Sequence, residues 1–129
     1  MVSKISYSIG NALAALTIAA ALAPARAQDF YAGKQITFFV GAPAGGGYDI
    51  LARLASRHLG KHIPGAPTFV VQNLPAGGSI VAANMLANTS PKDGTHIGLM
   101  QRGVLLAGLT GVSQVQYDVG KFNWLASLN

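Results

Sequence analysis

The feature that most constrains this chain is a repeated order of short apolar run, glycine-rich loop and helical pattern. The β-branched and aromatic run 36–40 stops at the loop 41–47, and the similar run 68–72 stops at the loop 74–78. Glycine and proline at this density end a regular element, so each run is predicted to be a strand that leads into a loop. Strands that alternate with helices imply right-handed crossovers and a largely parallel sheet. The sequence therefore predicts an α/β fold.

The helices are predicted from apolar residues that recur every three or four positions. Asp49 is expected to cap the first helix and Gly60 to end it, and Ser79 is expected to cap a second helix. The apolar face of the first helix is predicted to comprise Ile50, Leu51, Leu54, Ala55 and Leu59, and its solvated stripe Arg53, Arg57 and Lys61. Further along, a strand is predicted at 96–100, a short helix at 104–109 and the start of a fourth strand at 122–128.

Residues 1–27 have the composition of a secretory signal peptide. Lys4 gives a positive start, the run 12–23 is almost wholly apolar, and small residues stand at Ala25 and Ala27. The apolar run is shorter than the roughly 20 residues that span a bilayer, which argues against a membrane anchor. Cleavage is predicted between Ala27 and Gln28, so the mature chain is expected to work outside the cytoplasm.

The charge balance is mildly positive and argues against nucleic-acid binding. The chain has a formal net charge of +5, of which Lys4 and Arg26 would leave with the signal peptide. The other basic residues are scattered, whereas nucleic-acid binding needs a basic patch with interleaved aromatic residues. A mild positive excess suits small anions equally well. No nucleic-acid partner is expected, and the lack of cysteine excludes a disulfide-built fold.

The glycine-rich loops are candidates for anion binding. In an open parallel sheet, ligands bind beyond the carboxyl ends of the strands, and both loops are predicted to lie there. The first amides of a helix lack partners within the helix and carry partial positive charge, so they attract anions. The loops Ala44–Asp49 and Ala76–Ser79 are therefore expected to grip one carboxylate or phosphate between them. The alternative is that glycine serves only to make each turn tight.

Motifs for nucleotide binding, nucleophilic catalysis and metal binding are incomplete in this sequence. The loop 41–50 has neither the dinucleotide fingerprint nor the lysine of a P-loop. Val81 stands where the last glycine of a G-x-S-x-G elbow would be. His58 and His62 are four residues apart, but the glutamate of a metalloprotease helix is missing, so a solvated helix end is the preferred interpretation. No cofactor, metal or catalytic residue is predicted.

Several short motifs follow one another from Phe30 onward. They are F-Y-x-G-K at 30–34, G-G-G-Y-D-x-x-A-R at 45–53, H-L-G-K-H-I-P-G at 58–65, V-Q-N at 71–73, P-A-G-G-S at 75–79, A-N at 83–84 and P-K-D-G-T at 91–95. Together they resemble the Bug family, the extracytoplasmic solute receptors of bacterial tripartite tricarboxylate transporters. The resemblance implies a type II periplasmic-binding-protein fold, in which two α/β lobes close on a small carboxylate, and a location in the periplasm.

The resemblance also implies which residues contact the ligand. Main-chain amides of the two glycine-rich loops would hold the carboxylate, with Asp49 shaping the first loop rather than binding the anion. Tyr48 stands where many relatives have a small hydroxyl residue. Arg102 either pairs with a second carboxylate through a bidentate fork or is a solvated loop arginine. The implied contacts are Ala44, Gly45, Gly46, Gly47, Tyr48, Asp49, Ala76, Gly77, Gly78, Ser79, Gln101 and Arg102.

The length of the chain departs from the family pattern, because family members are much longer than 129 residues. Residues 28–129 are accordingly interpreted as the first lobe, β-α-β-α-β, of a solute-binding domain whose second lobe is missing. The expected function is that of a receptor, monomeric when complete, which delivers a small carboxylate to the membrane permease of the transporter and catalyses nothing. Two alternatives stay open: a small α/β enzyme that uses the glycine loops as an oxyanion or phosphate cradle, and a truncated fragment without function.

Overall fold

A computed structural model of the chain describes residues 30–128, so the predicted signal peptide lies outside the described residues. In this part of the chain strands and helices alternate: β1 (Gln35–Val40), α1 (Gly47–Leu59), β2 (Thr68–Asn73), α2 (Ile80–Asn88), β3 (His96–Leu99) and α3 (Gly103–Thr110). Short 3₁₀ turns occupy Gly60–His62 and Val119–Lys121, and a tight loop with left-handed backbone occupies Ala76–Ser79. None of the helices between residues 30 and 128 has the length and apolar character needed to cross a membrane.

The strands form a parallel sheet in the order β2-β1-β3. The central strand pairs Phe38 with Val71 on one side and with Ile97 on the other. Phe38 and Val40 of this strand are buried, as is Phe39 between them. A strand that is covered on both faces carries a continuous apolar run, which is the pattern that predicted it. The α/β class and the parallel sheet are confirmed.

Helices cover both faces of the sheet. Phe38 and Val40 point to one face and pack with Ala52 of α1. Phe39 points to the other face, where its neighbour Gly98 lies under Leu86 of α2, 3.1 Å from the place of a β-carbon. Helix α3 joins the α2 side, because its buried residue Val104 packs with Ala83 of α2 and with Tyr117. The chain thus leaves β1 and β3 toward opposite faces, and the carboxyl ends of two such neighbouring strands are where open parallel sheets generally bind ligands.

Helix α1 packs through a narrower face than its sequence predicts. Ala52 is fully buried, whereas Ile50 and Leu54 are more than half exposed. A small residue at the contact lets the helix approach the sheet closely, which leaves the longer side chains at the edge of the interface. After Leu59 the chain continues into a 3₁₀ turn in which Gly60 is right-handed, with φ −55°. Glycine is needed at residue 60 because a β-carbon would lie 2.6 Å from the Pro67 carbonyl oxygen.

The predicted fourth strand is wrong within the described residues, since 122–128 lies outside the sheet. Phe122 stacks on Tyr117 at 5.7 Å and meets Trp124 edge-on at 5.6 Å. The Trp124 indole donates a hydrogen bond to the carbonyl of Val119. These local contacts satisfy the aromatic residues that gave the segment its strand-like composition. A turn precedes this segment, with the Asp118 carboxylate accepting from the Gly120 amide.

Candidate functional site

The loops that follow the three strands meet at the carboxyl edge of the sheet, as the sequence predicts for parallel strands. Hydrogen bonds between neighbouring strands continue past their ends: the Gly41 amide donates to the Leu99 carbonyl and the Leu74 amide to the Val40 carbonyl. All twelve predicted contact residues lie in or directly after these three loops. The structure therefore places the two glycine-rich loops beside one another and beside Gln101 and Arg102.

The first loop divides its amides between internal and outward roles. The Gly46 amide donates to the Pro43 carbonyl at 3.2 Å, and the Gly45 amide donates to the Asp49 carboxylate at 2.8 Å. The first bond of α1 runs from the Ile50 amide to the Gly46 carbonyl. Three helical residues, Gly47, Tyr48 and Asp49, come before that bond, and the amides of the first two, at the very start of the helix, are suited to an anion.

Asp49 is the third residue of α1, so its predicted position as the N-cap is wrong; Gly46 occupies that position. The Asp49 side chain instead reaches back to the loop and is almost completely buried. Its carboxylate accepts hydrogen bonds from Arg53 Nε at 2.9 Å, from the Gly45 amide and from Asn73 Nδ2 at 3.0 Å. Glycine at the N-cap has no side chain to bind the helix amides, and the carboxylate one turn later organises the loop in its place.

These donors also set the electrostatics of the site. The Arg53 guanidinium, followed by the Gly45 amide and, more weakly, Asn73, holds the pKa of Asp49 well below its usual range, despite burial. Asp49 is therefore ionised and surrounded by protein donors. It shapes the first loop, as predicted, and its carboxylate oxygens are already engaged by groups of the protein.

Asn73 is a site residue that reasoning about the glycine loops missed. It ends β2, and its Nδ2 atom donates to the Ala42 carbonyl at 3.1 Å as well as to Asp49. The sequence carried a signal for it, a polar side chain two residues after the apolar run 69–71 and directly before the second loop. Arg53, assigned to the solvated stripe of α1, is about half exposed but pairs with Asp49.

The second loop has an unusual backbone. Gly77 and Gly78 are left-handed, with φ 61° and 58°, and Ser79 follows with φ 80°. A residue other than glycine pays about 1–3 kcal/mol for such a conformation, and residues of this kind cluster at functional sites. Ser79 occupies the predicted N-cap position of α2, but its side chain makes no capping bond, because its hydroxyl is engaged by the other two loops. The hydroxyl donates to the Gly41 carbonyl at 2.7 Å and accepts from the Gln101 amide at 3.0 Å.

The third loop contributes Gln101 and Arg102 in different ways. The Gln101 side chain donates to the Gly41 carbonyl at 3.1 Å, so Gln101 and Ser79 share one acceptor. Arg102 stands at the start of α3 and is exposed to solvent. Exposure agrees with the solvated interpretation of Arg102, and it also leaves the guanidinium accessible to an anion.

The two histidines that are four residues apart lie away from these loops. His58 and His62 line an apolar groove of about 280 Å³ on the outer side of α1 with Leu54, Leu128 and neighbouring residues. Between residues 30 and 128 no three potential metal ligands come together. The groove offers an anion few polar partners, so the carboxyl edge of the sheet is the better candidate for the predicted chemistry.

Tyr48 is half-buried and packs against the core formed by Phe38, Val40 and Ala52. Its backbone amide belongs to the candidate anion site, while its ring helps to fix α1 on the sheet.

In comparisons with protein families, with curated proteins and with solved structures, the chain has no match.

Proposed function

We propose that this chain is the first lobe of an extracytoplasmic receptor for small carboxylates, with a type II periplasmic-binding-protein fold. The observation that carries the proposal is the meeting of two glycine-rich loops beside the carboxyl ends of β1 and β3. There the amides of Gly47 and Tyr48 precede the first bond of α1, and the left-handed Ser79 holds the second loop against the first. A helix start beside a tight glycine loop is a suitable place for a carboxylate.

The charges of the site favour an anionic ligand. Asp49 is neutralised by Arg53, and Arg102 stands uncovered at the start of α3. The proposed arrangement has the loop amides holding one carboxylate and Arg102 pairing with a second one where the ligand has it. Such a ligand is small and polar at both ends.

Exposed apolar side chains support a further lobe that covers this one. Leu106 and Leu109 of α3 are 64% and 74% exposed, and Leu125 is 80% exposed. Large exposed apolar side chains are typical of an interface. In a two-lobed receptor, ligand favours the closed state because closure lets both lobes contact it. The partner in the proposal is the membrane permease of a tripartite tricarboxylate transporter. The predicted signal peptide directs the chain to the periplasm, where it meets this permease.

We propose binding without catalysis. The same amides could form an oxyanion cradle, and in that case Ser79 would be the candidate nucleophile. The Ser79 hydroxyl directs its proton to the Gly41 carbonyl, which is an acceptor but no general base. Its bonds suit a residue that holds two loops together.

Isothermal titration calorimetry tests the proposal. The purified chain is titrated with succinate, citrate and benzoate, and with sulfate and phosphate as anions of another shape. We expect saturable binding of at least one carboxylate and weaker binding of the inorganic anions. Absence of binding by all three acids would contradict the proposal, and turnover of an ester or phosphoester substrate would favour the enzyme instead.

A further inference from the structure

The side chain of Asn73 joins the two ends of the first glycine loop. Its Nδ2 atom donates hydrogen bonds to the Ala42 carbonyl, at 3.1 Å, and to Asp49 Oδ1, at 3.0 Å. Ala42 precedes the glycines, and Asp49 follows them in the first turn of α1. One nitrogen atom therefore spans the loop from its beginning to its end.

The same side chain belongs to a closed network with Arg53. Asn73 Oδ1 accepts from Arg53 Nη2 at 3.3 Å, and Arg53 Nε donates to Asp49 Oδ2 at 2.9 Å. Asp49 Oδ2 also accepts from the Gly45 amide at 2.8 Å. Both polar atoms of the Asn73 amide group and both oxygens of the Asp49 carboxylate are thus engaged, and together they fix the direction of a loop amide.

Asn73 also stands where the second loop begins. It is the last residue of β2 and lies beside Val40 in the sheet. The next residue, Leu74, donates its amide to the Val40 carbonyl at 2.8 Å, and the loop Ala76–Ser79 follows directly. Asn73 is therefore anchored in the sheet at the root of one glycine loop while its side chain holds the other.

We infer that Asn73 is a positioning residue of the anion site, which sets the amides of Gly47 and Tyr48 in their binding direction before a carboxylate arrives. The inference rests on the proposed function. Consecutive glycines do not restrict their own backbone, so the order of the loop has to come from contacts made by other residues. When the loop is ordered beforehand, binding costs less conformational entropy of the loop, so the anion binds more tightly.

The test compares Asn73→Ala with Asn84→Ala in the full chain. Asn84 is a matched control because its side-chain amide also holds a remote segment, donating to the Gln114 carbonyl at 2.9 Å and accepting from the Gln116 amide at 2.8 Å. We expect both variants to lower Tm. For the tightest of succinate, citrate and benzoate, Asn73→Ala is expected to raise Kd about tenfold and Asn84→Ala less than about twofold.

A second readout needs no ligand. Amide hydrogen exchange measured by NMR is expected to be about tenfold faster at Gly45 in Asn73→Ala than in the unmodified chain, and unchanged there in Asn84→Ala. Arg53→Gln removes the network from its exposed side without opening the core, and we expect it to raise Kd about threefold. This variant keeps the test decisive if Asn73→Ala does not fold.

The outcomes separate the inference from the proposed function. Binding by Asn73→Ala and Arg53→Gln as tight as that of the unmodified chain, or equal weakening by Asn84→Ala, would overturn the positioning role. Unchanged exchange at Gly45 in Asn73→Ala would overturn the ordering of the loop even if carboxylates bind. If the unmodified chain binds none of the three acids, the proposed function fails and the role of Asn73 in binding fails with it, whatever the exchange rates show.

Discussion

The hydroxyl of Ser79 donates a hydrogen bond of 2.7 Å to the carbonyl oxygen of Gly41, which lies 38 residues earlier in the chain. Ser79 is fully buried, and its hydroxyl oxygen also accepts a hydrogen bond from the backbone amide of Gln101. A single side chain thus connects the loops that follow β1, β2 and β3. The two hydrogen bonds of the Ser79 hydroxyl offset the cost of its left-handed backbone.

Substitution of Ser79 separates its hydrogen bonds from its backbone strain. Ser79→Ala is expected to lower the free energy of unfolding by about 1–3 kcal/mol, because the partly buried Gln101 amide loses its acceptor. Ser79→Gly loses the same bonds but adopts the left-handed conformation freely, so we expect it to be about 1 kcal/mol more stable than Ser79→Ala. Chemical denaturation measures both differences.

The control for Ser79 is Ser56→Ala. The Ser56 hydroxyl donates to the Ala52 carbonyl one turn earlier in α1. Its loss is expected to change stability by less than about 0.5 kcal/mol. An effect of Ser79→Ala no larger than that of Ser56→Ala would show that the connection between the loops contributes little.

Gly41 is predicted to be coupled to Ser79 in stability. A β-carbon on Gly41 would overlap the Ser79 side chain, so Gly41→Ala is expected to cost about 1–3 kcal/mol through overpacking. Adding Ser79→Gly removes the two closest overlapping atoms, the Oγ and Cβ of Ser79, and the double variant is expected to be at least about 1 kcal/mol more stable than the sum of the two single effects. Urea denaturation of the four proteins of this cycle gives the coupling, and strict additivity would contradict the predicted contact.

The strands and the loop positions follow from the sequence for simple physical reasons. Residues Phe38 to Val40 are apolar because the central strand is covered on both faces, and glycine directly after it marks the carboxyl edge. The roles of Asp49 and Ser79 could not be read from spacing alone. Both types of residue are common helix caps, and whether they cap depends on partners 24 and 38 residues away in the chain, Asn73 and Gly41.

Asn73 and the segment 122–128 show the same limit. An asparagine at the end of a strand looks like a turn residue until the first loop is folded beside it. The composition of 122–128 suits a strand, but a strand also has to pair with an edge strand of the sheet, and composition does not show whether it does. The tilted ring contact of Phe122 with Tyr117 and the hydrogen bond from Trp124 to the Val119 carbonyl give that segment a different set of partners.

Asp49 predicts how stability depends on pH. Its pKa is held below the ordinary value chiefly by Arg53, so the unfolded chain takes up a proton before the folded one does. The stabilisation is complete well above pH 3.9, the approximate value for an unperturbed aspartate, and is lost as the pH falls through that value toward the pKa of the folded state. Thermal melts between pH 6 and pH 2 measure it.

Asp49→Asn is expected to be less stable than the unmodified chain at pH 6 and to lose less stability on acidification. The dependence will not vanish, because Thr95 also lowers the pKa of Asp93. An Asp49→Asn curve parallel to that of the unmodified chain would show that Asp49 is not the source of the acid sensitivity.

Gly47 offers a substitution that separates folding from binding. It is the first residue of α1, and a β-carbon there would meet no atom within 4 Å. Gly47→Ala is therefore expected to keep or raise stability, by up to about 1 kcal/mol, because alanine favours the helix. The added methyl group stands beside the amides of Gly47 and Tyr48, where the anion is proposed to approach. We expect carboxylate affinity, measured by calorimetry, to fall about tenfold.

Gly103→Ala makes the same change at the start of α3, where a β-carbon also has open space. We expect it to match Gly47→Ala in thermal stability and to leave carboxylate affinity within about twofold. Equal loss of affinity in both variants would show that the effect of Gly47→Ala is not specific to the start of α1. If Gly47→Ala binds as tightly as the unmodified chain, the start of α1 is not where the carboxylate is held, since the substitution adds bulk there and leaves the fold in place.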